Sequence, residues 1–204
     1  MSRFSQAISE GDGISVVPVL DGDVGGLAAL AEERGAEAVA VEGLNLELAR
    51  GASALPIIAR HPDPRAALDS GADACILVFE AVAHEGQRLE ESYALARELG
   101  LDCAIQVRDE EELERVLERV DPDLVLISER EPEAGKEDLE RTLDLLADVP
   151  VGKLVISEAR IVVREQVVAL ERAGVDAVLV PGLTQRGDFA AALEELVRGS
   201  GANH

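Results

Sequence analysis

"KLVISEARIVVREQVVALERAGVDAVLVPGLT", residues 153–184, contains two short apolar runs on either side of a segment with helical spacing. The runs, Leu154–Ile156 and Ala177–Val180, are almost wholly apolar, as strands covered on both faces are. Between them, Val162–Ala173 alternates apolar and charged residues at a helical period. Strand, helix, strand in that order predicts a parallel pair joined by a crossover helix. Polar residues wait where each strand ends, Glu158 and Arg160 after the first and Gly182 after the second.

Outward from this unit the same alternation fills the chain. Strands are predicted at Ile14–Leu20, Ala38–Val41, Leu55–Ala59, Ala74–Phe79, Cys103–Val107 and Leu124–Ile127 as well. Helical spacing covers Gly25–Arg34, Leu44–Gly51, Pro64–Ser70, Gly86–Leu99, Glu110–Val120, Lys136–Leu146 and Asp188–Arg198. Eight such units in 204 residues match the lower size limit of a (β/α)₈ barrel. A doubly wound open sheet usually has a Gly-rich first turn, and "VLDGDVGG" lacks the required order of glycines. The expected architecture is therefore α/β, a single (β/α)₈ TIM barrel over residues 1–204, with a polar lead-in at 1–13 and a frayed tail at 199–204.

An internal echo supports the ring. "RGAEAVAV" (34–41), "SGADACIL" (70–77), "VDPDLVLI" (120–127) and "AGVDAVLV" (173–180) introduce the second, fourth, sixth and eighth strands. In each, a turn ends a helix and an acidic residue precedes the apolar run, and the odd strands lack the pattern. Asp109 is the expected N-cap of a helix with acids in its first turn and arginines later.

Composition narrows the function. A formal charge of −22 argues against nucleic acid and anionic membranes, both of which call for Lys and Arg stripes. Any anionic ligand then needs a local basic pocket. No apolar run approaches the roughly 18 residues of a membrane helix, and Met1–Gly13 has no signal-peptide core. A soluble, cytoplasmic protein is expected. Cys75 and Cys103 lie inside apolar runs and read as buried small hydrophobes rather than a disulfide or metal site. His61, His84 and His204 have no metal-ligand spacing, so no metal is expected.

Barrel enzymes of this class keep their chemistry at the carboxyl ends of the strands. That rule selects Asp21, Glu42, Arg60, His61, Glu80, Gln106, Arg108, Ser128, Glu129, Arg130, Glu158, Arg160 and Gly182. Lys153 begins its strand and belongs to the opposite end; Lys136 lies in or beyond the loop after strand six. Arg60, Arg108 and Arg130 are candidates for a basic mouth in an otherwise acidic protein. Glu158 is either a catalytic carboxylate or a salt-bridge partner of Arg60, Arg130 or Arg160. His61, at the stiff His-Pro-Asp-Pro turn, is either a titrating base or a packed loop residue.

The stretches "LGLDCAIQVRDEEELERVLERVDPDLVLISER" (99–130), "LVISEARI" (154–161) and "AGVDAVLVPGLTQRGDFAAALEEL" (173–196) resemble the indole-3-glycerol-phosphate synthase family. "FSQAISEGDGISVVPVL" (4–20) and "LPIIARH" (55–61) are similar to its first and third strands. The resemblance implies a carbon–carbon lyase of tryptophan biosynthesis, closing the ring of an anthranilate-derived ribulose phosphate with loss of carbon dioxide. That reaction uses a protonated lysine as general acid, assisting carboxylates, and backbone amides for the phosphate. In this chain the first-strand Glu and Lys fall near Val19 and Asp21, and the third-strand Lys-Asp pair on Arg60 and His61. The fifth-strand glutamate falls on Gln106 and the asparagine after strand six on Ser128, followed by Glu129. Arg130 and Glu158 match the family. Ala159 and Arg160 take the place of a serine and a glycine, and Pro181 that of a glycine that offers an amide to phosphate.

Three readings follow. The first retains the family's lyase activity. The second is a non-catalytic homologue that binds a phosphosugar or associates with other biosynthetic enzymes. The third is a different enzyme with Glu158, Glu129 and His61 as acid and base. In each, Arg60, Arg108, Arg130, Ser128, Arg160 and Gly182 are the candidate binding residues for a small phosphorylated metabolite. No organic cofactor is implied.

Overall fold

The computed structural model describes residues 3–11, 13–43, 45–80, 88–128 and 139–198. Eight parallel strands close into a barrel in sequence order: β1 (Ser15–Leu20), β2 (Val39–Glu42), β3 (Ile57–Arg60), β4 (Ala74–Val78), β5 (Asp102–Val107), β6 (Leu124–Ser128), β7 (Leu154–Glu158) and β8 (Ala177–Val180). The ring closes through β1 and β8, where Ser15 to Pro18 pair with Ala177 to Val180. Every strand predicted from the apolar runs is present, displaced by no more than a few residues.

Helices α2 (Val24–Glu33), α3 (Leu46–Ala52), α4 (Pro64–Asp69), α5 (Arg88–Glu98), α6 (Glu110–Arg119), α7 (Glu140–Leu146), α8 (Arg164–Ala173) and α9 (Phe189–Val197) follow the strands in turn. A short 3₁₀ turn, Leu183–Gln185, precedes α9. Asp109 caps α6 as expected, its carboxylate accepting from the Glu112 amide at 2.8 Å. Residues 136–138, expected to begin α7, and 86–87, expected to begin α5, lie outside the described residues, as does the 199–204 tail.

Two apolar layers result from the strand pleat, which sends alternate side chains to opposite faces. Val16, Val41, Ile57, Cys75, Ile105, Ile127, Val155 and Val178 point outward and pack under the helices. Val17, Val19, Ala40, Ile58, Ile76, Ala104, Leu126, Ile156 and Leu179 fill the interior.

The lead-in holds an element that sequence patterning missed. Residues Arg3–Ser9 form α1, whose Phe4 and Ile8 are buried with the interior cluster. This helix covers the amino-terminal end of the barrel. The Ser5 amide donates to the Asp102 carboxylate at 2.7 Å, where β5 begins. Seven residues are too few to show a helical period or to stand alone. Docking onto an open ring of apolar side chains supplies what local propensity lacks.

The two-strand echo also has a structural cause. Asp73, just before β4, accepts from the Ile57 amide that opens β3, at 2.8 Å. Asp176, just before β8, accepts from the Val155 amide in β7 at 2.7 Å. Before β4 and β8 the acid thus satisfies an amide of the odd strand beside it. Gly71 and Gly174 adopt positive φ at the preceding helix ends, a conformation glycine reaches without strain. Lys153 sits at this same end, bonded to Asp121 Oδ1 at 2.6 Å and to the Pro122 carbonyl at 2.8 Å.

Candidate functional site

At the opposite end the inward-facing positions turn polar. Glu42 and Arg60 are register partners at the ends of β2 and β3. Ser128 and Glu158 are register partners at the ends of β6 and β7. Gln106 on β5 lies two residues beyond interior-facing Ala104 and shares its face. These five residues cap the apolar interior.

Arg60 connects them. Its Nη2 donates to Glu158 Oε1 at 2.8 Å and its Nε to Glu42 Oε1 at 3.3 Å. Nη1 donates to the Gln106 side-chain oxygen. Each guanidinium nitrogen therefore has an acceptor, from three different strands. The Glu158 carboxylate is fully buried and also accepts from Ser128 Oγ at 3.0 Å. The Arg60 side chain is 13% exposed, so this ion pair crosses the barrel from β3 to β7 with little solvent to screen it. A planar fork with five donors suits such a junction better than an ammonium does.

A further cation reaches this cluster from outside the barrel. Arg141, in the first turn of α7, donates from Nη1 to the Ser128 carbonyl at 2.9 Å. Nothing in the spacing of α7 singles it out. Glu42 and Gln106 are visible from sequence as strand-end residues, but not as partners of Arg60.

The other candidates are dispersed. Arg108, expected in a basic mouth with Arg60, is held against α6 instead. Its guanidinium contacts Glu112 Oε1 and Glu80 Oε2, each at 2.8 Å, and its amide donates to Glu112 Oε2 at 2.8 Å. The hydrogen bond to Glu112 raises its already high pKa further. An early acid of α6 thus captures an arginine one residue beyond β5 before it can turn inward. His61 folds into its own turn, with Nδ1 accepting from the Asp63 amide at 3.1 Å. Asp63 in turn caps α4 through the Arg65 and Ala66 amides. Glu129, Arg130 and Lys136 lie outside the described residues.

Around the ends of β7 and β8 several amides already have partners. Ala159 donates to the Leu179 carbonyl at 3.3 Å and Ile161 to the Ala159 carbonyl at 2.9 Å. Val162 and Val163 both donate to Gln166 Oε1, at 2.7 and 3.2 Å. Gly182, at φ +72°, introduces the 3₁₀ turn, and Thr184 Oγ1 donates to Asp21 Oδ1 at 2.7 Å. Arg160 is exposed. Among the described residues no group of three or more His, Cys, Asp or Glu could hold a metal ion.

Comparison with known proteins gives this barrel its relatives. The family model of indole-3-glycerol phosphate synthase matches residues 64–196. The chain belongs to the indole-3-glycerol phosphate synthase family. An indole-3-glycerol phosphate synthase of Geobacillus sp. (strain WCH70) is 34% identical over 129 residues, covering 63% of this chain and 49% of that protein. The one from Dichelobacter nodosus (strain VCS1703A) is 37% identical over 126 residues, 61% of this chain and 46% of its own. The chain thus spans about half the length of the curated relatives it matches.

Solved structures agree on the scaffold. A mutant tryptophan synthase alpha-subunit from Pyrococcus furiosus superposes with a TM-score of 0.67 at 21% identity, over 92% of this chain and 99% of that one. The N-acetylmannosamine-6-phosphate 2-epimerase of Clostridium perfringens gives 0.67 at 18% identity, over 84% and 87%. At such identities these two establish the barrel fold alone. Within the family match lie Gln106, Ser128 and Glu158, whereas Arg60 precedes it.

Proposed function

We propose that this family member binds a small phosphorylated metabolite at its barrel mouth and does not carry out the family's ring closure. The observation that carries the reading is the engagement of Arg60 by Glu42, Gln106 and Glu158. The resemblance assigns a proton-donating lysine to that strand end. Arginine stays protonated at any working pH, so it cannot deliver the proton. Gln106, in place of a carboxylate, exchanges none. Ser128, Arg160 and Gly182 lie at or just beyond the ends of β6, β7 and β8, where the resemblance implies that the phosphorylated ligand binds. Such a protein belongs beside tryptophan biosynthesis in the cytoplasm, in association with other enzymes of that route. No helix among the described residues is long and apolar enough to cross a membrane.

The experiment pairs binding with turnover. Calorimetry with the anthranilate-derived ribulose phosphate is expected to show saturable binding weakened by Arg160→Ala, while indole product stays at background at high protein concentration. Turnover abolished by Glu158→Gln overturns the loss of chemistry, and absence of binding overturns the ligand. The reading of a different acid–base enzyme receives no support from His61, whose Nδ1 is committed to its own turn.

A further inference from the structure

Away from the mouth, β4 and β5 bring together two thiols that the family chemistry does not use. Cys75 and Cys103 are register partners on these neighbouring parallel strands. Both side chains point outward into the layer beneath the helices, and both cysteines are free. Adjacent strands lie about 4.8 Å apart, inside the range of about 4.4–6.8 Å between Cα atoms that a disulfide spans. Side chains at paired positions on one face of a parallel sheet project side by side, so closing the bond requires rotation about χ1 and a small approach of the two Cβ atoms, which a disulfide holds about 3.5–4.5 Å apart.

The second observation concerns access. A cleft of about 240 Å³ opens beside the start of β5 and reaches Cys103, with Tyr93, Arg97 and Asp123 on its walls. Cys75 does not line it and is fully buried. A small neutral oxidant entering there approaches Cys103 first, with Cys75 beside it on β4.

We infer that Cys75 and Cys103 form a reversible dithiol–disulfide pair, with Cys103 the sulfur that a small peroxide oxidises first and Cys75 the resolving thiol. The chemistry balances with hydrogen peroxide as the oxidant. The Cys103 sulfur attacks one peroxide oxygen and the O–O bond breaks, giving a sulfenic acid and one water. The Cys75 sulfur then displaces the sulfenic hydroxyl, which leaves as a second water once protonated, and the S–S bond forms. Two electrons pass from the thiol pair to the peroxide. The hydrogen bond with Cys75, together with burial, holds the Cys103 thiol well above its ordinary pKa. Oxidation is therefore slower than that of an activated thiol, and the pair persists reduced until peroxide accumulates.

The test uses the full folded chain with hydrogen peroxide, followed by unfolding in an alkylating agent and mass spectrometry. The expected product is a monomer lighter by two hydrogens, with a Cys75–Cys103 cross-linked peptide and neither thiol alkylated. Dithiothreitol restores both thiols. In Cys75→Ala the cross-link vanishes and oxygen adducts build up on Cys103; the wild-type result stands alone if that variant does not fold. Two alkylatable thiols after treatment overturn the inference. So do oxygen adducts on wild-type Cys103 without a cross-link, or a bond joining two chains.

Discussion

The two ends of this barrel use their charges differently. At the amino-terminal end, carboxylates are bound to backbone: Asp73 to the Ile57 amide, Asp102 to Ser5 and Asp176 to Val155. Arg50 holds the Leu55 and Gly71 carbonyls, each at 2.9 Å, and pairs with Asp73. At the carboxyl-terminal end, side chains bind one another across the ring, Arg60 with Glu42, Gln106 and Glu158. Backbone groups occur in every sequence, so the first arrangement is a matter of folding alone. The second depends on particular partners, and it occupies the end where barrels of this kind keep their chemistry.

The largest effect expected comes from splitting the crossing ion pair. Glu158→Ala leaves Arg60 buried beside an empty position and is expected to destabilise the fold by about 3–5 kcal/mol, measured by urea unfolding. Replacing both partners together, as Arg60→Met with Glu158→Leu, is expected to recover most of that loss. A double variant as unstable as the single one shows that the mouth is more than a self-contained pair.

At the other end, Phe4→Ala is expected to cost about 3 kcal/mol, the low side for a buried aromatic because a terminal helix can detach rather than leave a cavity. Hydrogen exchange checks the mechanism: the amides of α1 should lose protection while those of β5 keep theirs. Smaller again, Asp73→Ala uncaps Ile57 and removes the carboxylate partner of Arg50, a loss of about 2 kcal/mol on the scale of charge-assisted hydrogen bonds. If Asp73→Ala rivals Glu158→Ala, the contrast between the two ends fails.

The smallest effect is a pH dependence. Burial raises the pKa of Asp176 above its ordinary 3.8, against the opposing hydrogen bond from Val155. The folded state therefore holds this proton more tightly than the unfolded one. Its contribution to stability is fully present below pH 3.8 and is lost as pH rises through the raised value. Asp176→Asn should remove that slope from the acid limb of the melting-temperature profile and leave the alkaline limb unchanged.

Particular residues show where sequence and structure part. Fully apolar strand runs identify the barrel, because a strand buried on both faces has no polar alternative. The acids before β4 and β8 are legible as a repeat, although their work on the neighbouring strand is not. Arg108 shows the limit: its place after β5 points to the mouth, yet Glu112, four residues on and one turn into α6, draws it outward. α1 escapes notice because its two buried side chains, Phe4 and Ile8, acquire meaning only against a ring assembled from all eight strands.

Sequence by itself determined the eightfold alternation, its closure into a barrel, the acidic character of the chain and the arginine that occupies the end of the third strand. Those follow from local pattern and residue chemistry, which every short segment carries within itself. Tertiary structure alone decided that Arg60 meets Glu158 across the ring, that Arg108 does not join it, and that Cys75 lies beside Cys103. Such meetings depend on register and strand order, and one residue of slip in either sends each of these side chains to the other face.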